Sequence, residues 1–172
     1  MGTMQRASDR PEFAADLPPG AGRVNNLPEN MEMLKTLAAE ARDRAYAVYS
    51  NFPVGCSIAL KDGSVVTGSS VENAAYSVTL CAERSAIAQI ISTRGESSRE
   101  IASVVVLGPA GRNCSPCGAC RQWLVEHAPG AEVYFPWMDG YMACKVEELM
   151  PFGFALADAD AASSPRDASP RD

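Results

Sequence analysis

Apolar residues recur at helical spacing from Leu34 through Leu37, Ala38, Ala41, Ala45 and Val48, and the pattern stops short of Pro53, before which helical backbone is disfavoured. This predicts a first helix over about 31–49. The runs 54–60 and 64–69 flank Asp62-Gly63, a dipeptide suited to a tight hairpin turn, and predict an antiparallel strand pair. Residues 82–93, with Ala82, Ala86, Ile87, Ile90 and Ile91, predict an apolar helix, and the β-branched run 102–108 predicts a buried strand. A helix over 118–128 should end at Pro129-Gly130, followed by strands at 131–136 and 141–145 and a last helical turn at 146–150. An initial hairpin followed by alternating helices and strands predicts an α/β fold. The expected architecture is a three-layer α/β/α sandwich, a mixed five-stranded sheet with helices on both faces.

The two ends lack such patterning. Residues 1–28 are rich in Pro, Gly, Asp and Arg, and 157–172 repeat Asp, Ala, Ser, Pro and Arg. Segments of this kind bury too little surface to offset the entropy of ordering, so both are expected to be disordered tails around a domain over 29–156.

Composition narrows the function. A 172-residue chain that is 47% hydrophobic has room for one domain with a sizeable core. A net charge of -6 and a pI near 4.8 disfavour binding to a phosphate backbone and favour a small uncharged substrate over nucleic acid. No apolar run approaches the roughly 18 residues needed to span a bilayer, and no secretory signal opens the sequence, so no membrane partner and a cytoplasmic location are expected.

The chemistry is concentrated in the cysteines: Cys56, Cys81, Cys114, Cys117, Cys120 and Cys144. Three disulfides are one reading, but clustered thiols in a reducing compartment more often bind metal. Cys81-Ala82-Glu83-Arg84 and Pro116-Cys117-Gly118-Ala119-Cys120 each place thiols at a predicted helix N-terminus, where backbone N–H groups and the helix dipole favour thiolate. Cys81, Cys117 and Cys120 would give zinc three protein ligands and leave a fourth position open, as in catalytic rather than structural sites. Glu83, one turn into its helix, could reach the reacting water without being a ligand, which suits a proton shuttle. The pattern matches the zinc base-deaminase signature, with Cys81 replacing its histidine. Cys114-x2-Cys117-x2-Cys120 also has iron–sulfur spacing, although that reading leaves Cys81 and Glu83 unused, and Cys114 could be an inert thiol. The single histidine, His127, falls about two turns beyond Cys120 and is expected to be structural.

These motifs, with Tyr49-Ser50-Asn51-Phe52-Pro53-Val54-Gly55, Val71-Glu72-Asn73-Ala74 and Ser115 through Gln122, resemble the homotetrameric cytidine deaminase family from about residue 33 to 154. The resemblance implies a Zn²⁺ cofactor on Cys81, Cys117 and Cys120, and a Glu83 that moves a proton between the attacking water and ring N3 of a cytosine nucleoside. It implies that Arg84 hydrogen-bonds ligand sulfurs, Phe52 stacks on the pyrimidine, backbone at Ala82 and Ser115 meets the base edge, and Glu72 accepts from a sugar hydroxyl. It further implies a homotetramer with shared active sites, into which Ala74, Tyr76 and Phe154 of a neighbouring subunit reach. Ser70 departs from the family pattern, which has an asparagine at that point for the ribose. Blasticidin S deaminases, relatives acting on a modified cytosyl nucleoside, also lack it. A catalytically silent zinc-binding scaffold is the reading from a different class, although such a scaffold has no need of Glu83. The nucleic-acid editing branch of the superfamily is disfavoured by the acidic charge.

Overall fold

The structure, a computed structural model, describes residues 17, 20–95 and 100–155. Ten elements follow in the order β1 (Gly22–Val24), α1 (Glu32–Asp43), β2 (Gly55–Leu60), β3 (Val65–Ser69), α2 (Ala82–Arg94), β4 (Ile101–Leu107), α3 (Gly118–His127), β5 (Glu132–Trp137), β6 (Gly140–Lys145) and α4 (Val146–Leu149). They form one mixed sheet in the order β1-β6-β5-β4-β2-β3, in which β4 and β5 run parallel and the other neighbouring pairs antiparallel. A parallel pair needs a crossover, and α3 supplies it, carrying the second cysteine motif across the sheet.

Alternation along the strands assigns the two faces. Cys56, Ile58, Val104, Val106, Val133, Phe135 and Cys144 pack with Ala86, Ile87 and Ile90 of α2 and Leu124 of α3. The intervening positions Val105, Leu107 and Tyr134 pack with Leu34 and Ala38 of α1. One helix therefore covers one face and two main helices the other, the predicted three-layer arrangement.

Two boundaries differ from expectation. The sheet has six strands rather than five, because Gly22–Val24 pairs with β6 and Leu27 is buried, so the folded domain begins within the segment read as a tail. This edge strand is held by backbone bonds and needs no apolar period. Residues 1–16 and 18–19 of the expected N-terminal tail, and the whole tail at 157–172, lie outside the described residues. The first helix ends at Asp43 rather than 49. Beyond it the backbone finds other partners: Tyr46 N–H donates to Ser70 O at 2.9 Å, Glu72 N–H donates to Tyr46 O at 2.8 Å, and the Glu72 carboxylate accepts from the N–H groups of Tyr49 and Ser50. Val48, which the helical period would have buried, is exposed.

Candidate functional site

Helices α2 and α3 both begin at a cysteine. Cys81 and Cys117 are the N-cap residues, extended in backbone, and neither uses its side chain to cap its helix. Their sulfurs are thus free for another task. The first turn of α2 is brought against β3 at Gly68, where a Cβ would collide with the Ala82 carbonyl and the Ala86 nitrogen. That close approach packs the first turn of α2 on β3, and Cys81 meets the start of α3 through the sulfur of Cys117.

The sulfurs of Cys81 and Cys117 lie 3.7 Å apart and those of Cys117 and Cys120 3.4 Å apart, and all three ligand atoms fall within 4.8 Å of one another. The cysteines are free thiols, at separations well beyond the roughly 2.05 Å of a disulfide bond, which removes the disulfide reading for this group. Zinc–sulfur bonds of about 2.3 Å in a tetrahedron require sulfurs about 3.8 Å apart, so the donor set fits zinc. Cys114 stands outside the group and is buried, against the iron–sulfur reading. His127 packs its ring 5.4 Å from that of Trp123 and is likewise no member of the group.

Charge is arranged around the sulfurs. The Cys81 thiol is lowered to about 5, first by its hydrogen bond with Cys120 and then by Arg84 and Cys117. The Cys120 thiol is pushed up by the same bond and by burial. Arg84 donates to Thr79 O at 2.8 Å and to the Cys81 sulfur at 3.7 Å, while its buried Nε has no hydrogen-bond partner among the described residues. Glu83 is buried, and burial, reinforced by the charge on Cys81, raises it to about 7. A carboxyl poised there can both accept and release a proton near neutral pH.

The remaining expected residues separate into two groups. Phe52, Ser70 and Glu72 occupy segments tied to one another: Ser70 Oγ accepts from Val54 N–H at 3.1 Å, and Glu72 Oε2 accepts from Tyr49 N–H at 2.8 Å and Ser50 N–H at 3.2 Å. Glu72 and Ser70 are buried, Phe52 is half-buried, Ala82 is buried at the start of α2, and Ser115 is half-buried before Cys117. Ala74, Tyr76 and Phe154 instead stand exposed. Phe154 is held through its backbone, with Gln122 Nε2 donating to its carbonyl at 2.7 Å and its N–H donating to Gln122 Oε1 at 3.1 Å.

Several supporting residues escaped the sequence reading. Arg121 donates to Pro116 O at 2.9 Å and Leu149 O at 3.1 Å, fastening the approach to Cys117. The carbonyl of Thr79 orients Arg84 through its backbone, so no side-chain signal announces it. Gln122 and Arg121 lie inside the recognised motif, where a polar residue early in a helix next to metal ligands was the available hint.

Residues 28–135 match the model of the cytidine and deoxycytidylate deaminase zinc-binding region. The cytidine deaminase of Halalkalibacterium halodurans is 40% identical over 129 residues, covering 74% of this chain and 96% of that protein. The cytidine deaminase of Mycobacterium tuberculosis (strain H37Rv) is 40% identical over 126 residues, covering 73% and 90%. Among solved structures, cytidine deaminase from Burkholderia pseudomallei superposes with a TM-score of 0.67 at 35% identity, covering 74% of this chain and 100% of that one. That from Mycobacterium leprae superposes with a TM-score of 0.62 at 37% identity, covering 72% and 99%. With the three-sulfur site, the adjacent buried glutamate and the sheet that carries them, these matches establish that the chain belongs to the cytidine and deoxycytidylate deaminase family.

Proposed function

We propose that the chain catalyses hydrolytic deamination of a cytosine nucleoside, in which water replaces the amine at C4 to give the uracil nucleoside and ammonia. The observation that carries this reading is the buried Glu83, raised to about 7, in the first turn of the helix that Cys81 begins and so beside a three-sulfur group of zinc dimensions. A structural zinc site has no need of such a carboxyl. Cys81, Cys117 and Cys120 hold the zinc, which when bound supplies Lewis-acid activation of the attacking water. Glu83 takes a proton from the attacking water and delivers it to ring N3 as the C4–O bond forms, then takes the proton of the new C4 hydroxyl and gives it to the amine, so that the C4–N bond breaks and ammonia leaves. Arg84 offsets the negative charge of three thiolates through Cys81.

Phe52 stacks on the pyrimidine, and backbone groups of Ala82 and Ser115 hydrogen-bond the base edge. Glu72 and Ser70 face the sugar. Ser70 favours a second reading of the substrate, because its oxygen already accepts from Val54 N–H and it offers the sugar one short hydroxyl. A site that grips the ribose weakly at this point would suit a modified sugar such as that of blasticidin S.

A homotetramer with shared sites accounts for the exposed apolar side chains of Tyr46, Val48, Tyr49, Val71, Tyr76, Val78 and Phe154, which a monomer would leave in water. Pyrimidine salvage in the cytoplasm is the setting in which such an activity belongs. Among the described residues no helix is long and apolar enough to cross a membrane.

The test is turnover of cytidine, deoxycytidine and blasticidin S by the zinc-loaded protein, read by ultraviolet absorbance and released ammonia. Turnover of a cytosine nucleoside supports the proposal, and the order of kcat/KM decides the sugar. Zinc binding without turnover of any of the three would return the protein to a silent scaffold.

A further inference from the structure

The ring of Phe52 rests in a seat built by Gly108, Cys114 and Arg112. Gly108 follows the last residue of β4, and a Cβ there would come within 2.9 Å of both Cβ and Sγ of Cys114 and 3.1 Å of Phe52 Cε1. Only a residue without a side chain lets the thiol and the ring edge settle together on the strand end. Cys114 is buried and its thiol is pushed up to about 12 by that burial, so it serves there as a small neutral packing group.

The other side of the seat is a cation. The Arg112 guanidinium carbon lies 5.7 Å from the centroid of the Phe52 ring, and the side chain is exposed. No ion pair holds it among the described residues, so the ring face is its specific contact. The loop bearing Arg112 is itself fastened to the end of β5, with Cys114 N–H donating to Pro136 O at 3.0 Å and Met138 N–H donating to Asn113 Oδ1 at 2.6 Å. It runs directly into Cys117. The segment that delivers two zinc ligands therefore also grips the aromatic ring.

We propose that Arg112, acting with Gly108 and Cys114, is a positioning residue that fixes the tilt and depth of Phe52 relative to the three-sulfur site and so sets affinity for the planar base. The inference rests on the proposed stacking role of Phe52. Stacking binds ground and transition states alike, so the seat acts on KM and leaves kcat nearly unchanged.

The experiment uses the full-length zinc-loaded protein and whichever cytosine nucleoside the wild type turns over best, with Arg112→Ala, Arg112→Lys, Phe52→Ala and the Phe52→Ala/Arg112→Ala pair. Arg112→Ala should raise KM about three- to tenfold, the scale of a partly exposed cation–ring contact, with kcat within about twofold and zinc content unchanged. Arg112→Lys should recover part of the loss, and Arg112→Ala should add nothing once Phe52 is alanine. Gly108→Ala, by crowding the ring from beneath, should raise KM in the same way. An unchanged KM in Arg112→Ala, or an equal increase with and without the Phe52 ring, overturns the seat while the deaminase reading stands. A wild type that turns over no cytosine nucleoside overturns both.

Discussion

Arg84 directs a guanidinium nitrogen at the sulfur of Cys81 across 3.7 Å, and the same nitrogen is held at 2.8 Å by the carbonyl of Thr79. A cation fixed against a thiolate ligand moderates a donor set of three negative sulfurs without occupying a coordination position. Arg84→Gln should therefore weaken zinc binding or activity by roughly 10- to 100-fold, the scale of lost support to metal ligands. Titration against a competing chelator checks the first effect and kcat/KM the second.

Zinc retention should depend on pH in a direction set by the thiols. Metal binds thiolate, so protonation competes with it and affinity falls as pH falls. Cys81 is already lowered toward thiolate while Cys120 is pushed up by the bond between them and by burial, so zinc affinity should decline steadily as the solution is acidified. Removing Cys81, Cys117 or Cys120 by substitution with serine should abolish stoichiometric zinc at every pH. Metal content after desalting across a pH series measures both.

Glu72 is more than a candidate sugar contact. Its carboxylate caps the backbone of Tyr49 and Ser50, and its pKa lies below the ordinary range, first through the Ser50 side-chain hydrogen bond and then through those two N–H groups. A folded pKa depressed in this way stabilises the fold above the unfolded value of about 4.3, and the contribution is lost as pH falls below it through the folded value. Glu72→Gln should lower Tm at neutral pH, and its deficit relative to wild type should shrink on acidification. Thermal melts at several pH values test this.

The zinc site could be read from the chain because its determinants are local. Cys81 and Cys117 stand at helix starts, and Glu83 and Cys120 lie within one turn of them. Helix periodicity failed after Asp43 because long-range groups, Ser70 O and the Glu72 carboxylate, take the backbone donors that a longer helix would have used. The edge strand Gly22–Val24 was invisible for a related reason: its pairing with β6 is backbone to backbone and leaves no mark on side-chain pattern. The hold of Gln122 on Phe154 spans 32 residues, beyond the reach of any local signal.

Proton transfer by Glu83 is best probed with Glu83→Gln, which keeps the size of the side chain while removing its ability to exchange protons. Zinc content and deaminase rate should be measured on the same preparation with the preferred cytosine nucleoside. Zinc occupancy should be full and kcat reduced by about 10²- to 10⁴-fold, the usual contribution of a general acid–base group. A zinc-loaded Glu83→Gln protein that deaminates at the wild-type rate would contradict proton transfer by Glu83.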